Sequence, residues 1–267
     1  MKSAGSVESS HWPEYLIEAA GLGLFMISAS GFATLLEHPA SPVRAMLADP
    51  FLRRALMGLA MGLTAIALIY SPWGQRSGAH FNPAVTLAFF HLGKVAAGDV
   101  AGYIAAQFLG GVVGMMIAVQ IFGGALAHPS IHYVATLPGG SVAVAWAAEF
   151  AITALLMTVV LTISNRPSIA KFTGLCAGVC VMLFITFEAP VSGMSLNPAR
   201  TFASALVARD WTALWIYFTA PPVGMLSVAA TYRKVSGRRQ IACAKLRHTT
   251  RHRCIFCEHV ARRAIVP

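Results

Sequence analysis

The stretch Ser77-Gly78-Ala79-His80-Phe81-Asn82-Pro83-Ala84-Val85-Thr86 returns as Ser192-Gly193-Met194-Ser195-Leu196-Asn197-Pro198-Ala199-Arg200-Thr201, 115 residues further on. Two other landmarks repeat in step. Gly58-x3-Gly62 is matched by Gly174-x3-Gly178 at a separation of 116, and Glu18 is matched by Glu149. The chain therefore carries two copies of one unit, the first with one extra residue, which we place in the turn over 71–76. Small residues four apart let helices approach closely where lipid supplies no hydrophobic drive, so the glycine pairs are expected where the second helices of the two copies cross.

Around this repeat, 57% of the 267 residues are hydrophobic and 11% charged, with a mean hydropathy of +0.66. That composition excludes an ordinary soluble domain. Six apolar stretches approach the length of about 20 residues that spans a bilayer: 15–36, 51–70, 98–124, 142–164, 170–189 and 211–232. Three spans per copy make the second copy enter from the opposite face, giving an inverted repeat. No cleavable signal is expected at the first span, which lacks a basic lead and an Ala-x-Ala site. Repeat one covers about 14–124 and repeat two about 142–232 of a membrane domain over 14–232, preceded by an N-terminal segment, 1–13, and followed by a basic tail, 233–267, expected to be disordered.

Basic residues orient the chain. The face that carries both termini collects Lys2, Arg76, Lys94, Arg166, Lys171 and ten Lys/Arg beyond residue 232, against Arg44, Arg53, Arg54, Arg200 and Arg209 on the other. The positive-inside rule then places both termini in the cytoplasm, in a plasma or inner cell membrane. The net charge of +10 thus needs no nucleic acid as partner; the tail suits anionic lipid headgroups.

After each triplet comes an apolar run, Val85–His91 and Thr201–Ala208, of about half the length of a span. Asn is a strong N-cap and Pro is favoured at the first helical position, so Asn82-Pro83 and Asn197-Pro198 each start a half-helix. Inversion brings the two N-termini together near the midplane. The non-helical lead-ins are tolerable at that depth only against a water-filled cavity. Each N-terminus contributes roughly half a positive charge there, which opposes cations and hydronium.

His80-Phe81-Asn82-Pro83-Ala84-Val85-Thr86 and Ser195-Leu196-Asn197-Pro198-Ala199-Arg200-Thr201 resemble the paired signature of the major intrinsic proteins, the aquaporins and aquaglyceroporins. The resemblance covers about 14–232, with Gly102-Tyr103-x3-Gln107 in the third span. It implies an all-α membrane protein with six transmembrane helices and two re-entrant half-helices in a right-handed bundle, a homotetramer passing water and small neutral solutes. It also implies a constriction on the outer side built from Met61, Ile185, Met194 and Arg200. Arg200 would repel cations and donate hydrogen bonds to the solute, the alternative being an arginine that snorkels to the interface. Apolar Ile185 resembles members that pass ammonia, metalloids or other small neutral solutes. Thr201, Ala205 and Tyr217-Phe218 resemble the water branch more than the glycerol branch.

Glu18 and Glu149 are costly inside a membrane. Either they bond the loop before each triplet or they relay protons as a secondary transporter would. His80 fits two roles, lining the inner vestibule or bonding a loop carbonyl. Glu188 is expected to meet solvent, His128 and His132 to lie in an outer loop, and Cys176 and Cys180 to pack within span five. In the tail, His248 is followed by His252, Cys254, Cys257 and His259, a run whose spacing is compatible with Zn2+, the last four being the candidate ligands, though one Cys-x2-Cys pair arises easily by chance. No cofactor is expected, and no phosphate loop, nucleophile elbow or His-Glu-x2-His helix marks an enzyme.

Overall fold

The computed structural model describes residues 11–236, 241–248 and 254–257. The chain folds as α1 (Trp12–Glu37), α2 (Pro42–Met46), α3 (Pro50–Tyr70), α4 (Pro72–Ser77), α5 (Pro83–His91), α6 (Ala97–Phe122), α7 (Val142–Ser164), α8 (Thr173–Phe187), α9 (Ala189–Ser192), α10 (Pro198–Ala208) and α11 (Leu214–Ser236). Six of these, α1, α3, α6, α7, α8 and α11, lie in segments long and apolar enough to cross a membrane. The extra residue of the first copy falls where α4 has 6 residues and α9 has 4.

α5 and α10 are the half-helices. Arg233 at the end of α11 donates to the His91 carbonyl at the end of α5, and Arg76 pairs with Glu14 at the start of α1. These contacts put the end of α5 on the face that carries the termini. The far end of α10 lies on the other face, where Asp210 meets His132 in the connection between the copies.

Glycine governs how closely the long helices cross. A Cβ on Gly62 would sit 2.7 Å from the Gly178 carbonyl oxygen and one on Gly178 equally close to that of Gly62. Gly58 faces the Met182 carbonyl, and Gly174 the side chains of Ile69 and Tyr70. The sequence pattern did not disclose two further close crossings: Gly110 and Gly114 of α6 against Ala19 and Gly23 of α1, and Gly224 of α11 against Phe150 and Thr153 of α7.

The loops before the half-helices hang on buried carboxyl groups. Glu18 accepts from the Ser77 hydroxyl (2.8 Å), the backbone N–H of His80 (3.1 Å) and of Phe81 (2.5 Å), and the Gln107 amide (2.8 Å). Glu149 accepts from the Ser192 hydroxyl (2.8 Å) and the N–H of Ser195 (2.5 Å) and Leu196 (2.9 Å). Tyr103 and Tyr217, at matching positions in the last helix of each copy, donate to the carbonyls of Ser77 and Ser192, both at 2.6 Å. Apart from Phe81, which is partly exposed, all these residues are buried.

Three corrections concern the edges. α1 begins at Trp12, inside the segment expected to precede it. Part of the tail expected to be disordered is folded onto the bundle, because Ile241, Cys243, Ala244, Leu246 and Cys254 find apolar cover there. Glu188 is half-buried and both its carboxyl oxygens are enclosed, away from the solvent expected for it.

Gly62→Ala should destabilise the purified protein by about 1–3 kcal/mol, since the added carbon meets backbone that cannot swing aside. Gly98→Ala, with open space around it, is the control, and thermal unfolding in detergent reads both. Glu149→Gln turns an amide toward hydroxyl or N–H donors and should cost about 1–3 kcal/mol, read as a lower unfolding temperature with helix content retained.

Candidate functional site

Each repeated letter of the two loops has a position-specific task. Ser77 Oγ, besides donating to Glu18, accepts from Ala79 N–H, and Ser192 Oγ likewise bridges Glu149 and Met194 N–H. Gly78 and Gly193 follow with φ of +104° and +82°. A side chain there would be strained and would strike Phe256 or the backbone of Leu137. Ala79, Phe81, Met194 and Leu196 also adopt positive φ, between 47° and 58°, a conformation that costs roughly 1–2 kcal/mol per residue. The carboxyl anchors offset that cost. Thr86 and Thr201 reach back across one turn to the side chains of His80 and Ser195.

Asn82 Oδ1 caps α5 by accepting from Ala84 N–H at 2.8 Å, and Asn197 Oδ1 caps α10 by accepting from Ala199 N–H at 3.0 Å. Their amides cross between the copies: Asn82 Nδ2 donates to the Leu196 carbonyl and Asn197 Nδ2 to the Phe81 carbonyl, both at 2.8 Å. Each amide keeps one further N–H, and both residues line a common cavity. Pro83 and Pro198 occupy the first helical positions, and Ala84 and Ala199 are fully enclosed.

That cavity, of about 510 Å³, is bordered at the face away from the termini by Glu37, Arg53 and Arg54. It continues past Met61, Ile185, Met194 and Arg200, then past the two asparagines, to Ile69, His80 and Leu246 at the face with the termini. All four residues expected at the constriction thus line one cavity. Much of the remaining wall is apolar, with Leu22, Phe25, Leu156, Val160 and Val181. A trans peptide points its C=O opposite to its N–H. Because the N–H groups of His80, Phe81, Ser195 and Leu196 face the glutamates, the carbonyls of Ala79, His80, Met194 and Ser195 turn the other way, and these four residues line the cavity.

Several partners were not legible in the sequence. The Arg200 guanidinium is hydrogen-bonded to the hydroxyl of Thr136, a buried residue of the connection between the copies that also receives Thr201 Oγ1. Arg53 is buried against Glu37 and the carbonyls of Leu47 and Ala48, and Arg54 donates to the Thr186 carbonyl. His80 lines the cavity and bonds a carbonyl, but the carbonyl belongs to Ala244 of the tail, at 2.8 Å. His128 bonds Ser130, and His132 bonds Asp210.

The tail residues regroup. Cys254 and Cys257 meet Cys243 and His248, with the four ligand atoms within 4.8 Å of one another. His252 and His259, the partners expected from spacing, lie outside the described residues.

Comparison with known proteins agrees with this geometry. Aquaporin NIP1-3 of Oryza sativa subsp. japonica is 38% identical over 175 residues, 65% of this chain and 59% of its own. Aquaporin NIP3-1 of Arabidopsis thaliana is 37% identical over 180 residues, covering 66% and 55%. The chain thus spans under two thirds of the length of these curated relatives. The X-ray structure of the aquaglyceroporin from Plasmodium falciparum shares the fold with a TM-score of 0.71, at 21% identity over 85% of this chain and 97% of that one. The family model "Major intrinsic protein" matches residues 6–232, which take in both half-helices, the first five spans and most of the sixth, and the chain belongs to that family.

Proposed function

We propose that this chain is a passive channel for water and other small uncharged molecules that refuses ions and protons. The observation that carries the reading is the single cavity lined by Asn82, Asn197 and Arg200 together. Two half-helix N-termini point their positive ends at its middle and oppose cations there. The asparagine amides offer donors to a passing oxygen. Turned carbonyls offer acceptors on either side, so a molecule can exchange partners stepwise while the apolar wall holds none. A water held by two donors is poorly placed to accept a proton.

Met61, Ile185, Met194 and Arg200 are assigned as the selectivity filter. Three apolar side chains and one guanidinium give a solute few hydrogen-bond partners, which favours small neutral molecules besides water, ammonia and metalloid hydroxides among them. Thr136 is the positioning residue for the guanidinium. Glu18 and Glu149 are supports, since their oxygens are taken up by loop donors; a coupled transporter would need a charge free to load a proton.

The channel domain runs from the start of α1 to the end of α11, with described tail residues folded against it. It lies in a plasma or inner cell membrane with both termini cytoplasmic, as the excess of Lys/Arg on that face requires. A homotetramer, contact of the basic tail with lipid headgroups, and neither catalysis nor nucleic-acid binding complete the reading.

Proteoliposomes followed by stopped-flow light scattering after osmotic steps of sucrose, glycerol, urea and ammonium salts should relax faster than empty vesicles. No acceleration for water or any neutral solute would remove the channel. Arg200→Val should raise proton or cation leak by about tenfold, equivalent to about 1.4 kcal/mol of lost discrimination. Thr136→Val should shift selectivity in the same direction by less, at unchanged thermal stability. Equal leak in wild type and Arg200→Val would take Arg200 out of the filter.

A further inference from the structure

Residues 241–248 lie across the end of the cavity on the face with the termini. Ala242 N–H donates to Asn165 Oδ1 (2.8 Å), His80 Nε2 to the Ala244 carbonyl (2.8 Å), Lys245 Nζ to the Gln75 carbonyl (2.9 Å) and Leu246 N–H to the Gly78 carbonyl (3.1 Å). Leu246 borders the cavity itself. Phe256 stacks on His80 with ring centroids 5.5 Å apart and planes at 12°. The segment thus touches α4 at Gln75 and the loop before the first triplet at Gly78 and His80.

Among the described tail residues, 241–248 and 254–257, no helix or strand forms, yet Cys243 and Cys254 are buried. Their sulfurs are 3.4 Å apart and both are free thiols; His248 Nε2 lies 3.2 Å from Cys257 Sγ. A disulfide bond would be about 2.05 Å long. Four ligands around a tetrahedral ion with metal–sulfur bonds of about 2.3 Å stand about 3.8 Å apart. The observed set, all within 4.8 Å, already has that scale. Three sulfurs and one imidazole suit a soft d10 ion and not a hard one. The order Cys243-x4-His248-x5-Cys254-x2-Cys257 brings four ligands close in sequence to one point, the way a chain too small for its own core is held by metal.

We propose that Cys243, His248, Cys254 and Cys257 form a tetrahedral site for Zn2+ or a similar thiophilic divalent ion, and that the bound ion locks residues 241–248 and 254–257 across the inner mouth of the pore. The site stands on its own geometry. Its effect on permeation rests on the channel reading above. A cytoplasmic location keeps the thiols reduced and available as ligands.

Full-length protein purified in detergent under reducing conditions, stripped and titrated with Co2+, should take up one ion per chain with the thiolate charge-transfer and tetrahedral d–d bands of a Cys3His site. Zn2+ should displace it. Cys254→Ser should weaken binding by at least about tenfold, whereas Cys176→Ser with Cys180→Ser should leave the spectrum intact. An octahedral spectrum, binding unchanged in Cys254→Ser, or a Cys243–Cys254 disulfide in its place would overturn the site. Trypsin should cut after Lys245 more slowly in the zinc form than in the chelated wild type, a comparison free of any substitution; equal rates would overturn the lock. In proteoliposomes, chelation should speed osmotic swelling of wild type and leave Cys254→Ser unmoved. If the cobalt signature is present but neither form outpaces empty vesicles, the channel reading fails and the site stands. If both forms swell quickly and alike, the lock fails and the channel stands.

Discussion

Backbone that leaves helical geometry at the depth of a membrane exposes N–H groups that lipid cannot take up. In this chain the carboxyl groups of Glu18 and Glu149 receive them, and the rest of the passage depends on that exchange. Once His80, Phe81, Ser195 and Leu196 are pinned by their N–H groups, the opposite edges of the same peptides face the cavity. Left-handed conformations at Ala79, Phe81, Met194 and Leu196 follow from the same pinning. Two acids buried in apolar helices thereby set the polarity of a lumen they do not line.

Much of the fold was readable because inversion leaves a trace in the sequence. Apolar length gave six spans, and the register of Glu18 with Glu149, of the glycine pairs and of the triplets paired them and gave two half-helices, with ends within a few residues of those observed. The crossing of Gly62 with Gly178 was legible for the same reason. Gly110 and Gly224 were not, since a lone glycine in an apolar helix has no partner in the pattern to mark it.

The site was legible where a residue sits at fixed spacing from a triplet and illegible where a partner comes from elsewhere in the chain. Met61, Ile185, Met194 and Arg200 meet at one cavity, but Thr136, which holds Arg200, lies in a connection of irregular backbone with no periodicity to read. The tail was legible in part. Spacing drew attention to His248, His252, Cys254, Cys257 and His259, and folding back over Gly78 brought Cys243 to the same place. Local spacing counts neighbours along the chain, and a loop that docks elsewhere chooses its neighbours in space.

The amides of Asn82 and Asn197 each reach into the opposite copy for a carbonyl. In terms of synthesis, this means the first half of the chain is made with its loop incomplete: the Phe81 carbonyl waits for an asparagine translated more than a hundred residues later. Neither half can be a finished folding unit, however independent its three helices look. Duplication of one gene segment therefore produced a mutual dependence, and a single half could recover its missing partner only from a second copy inserted upside down.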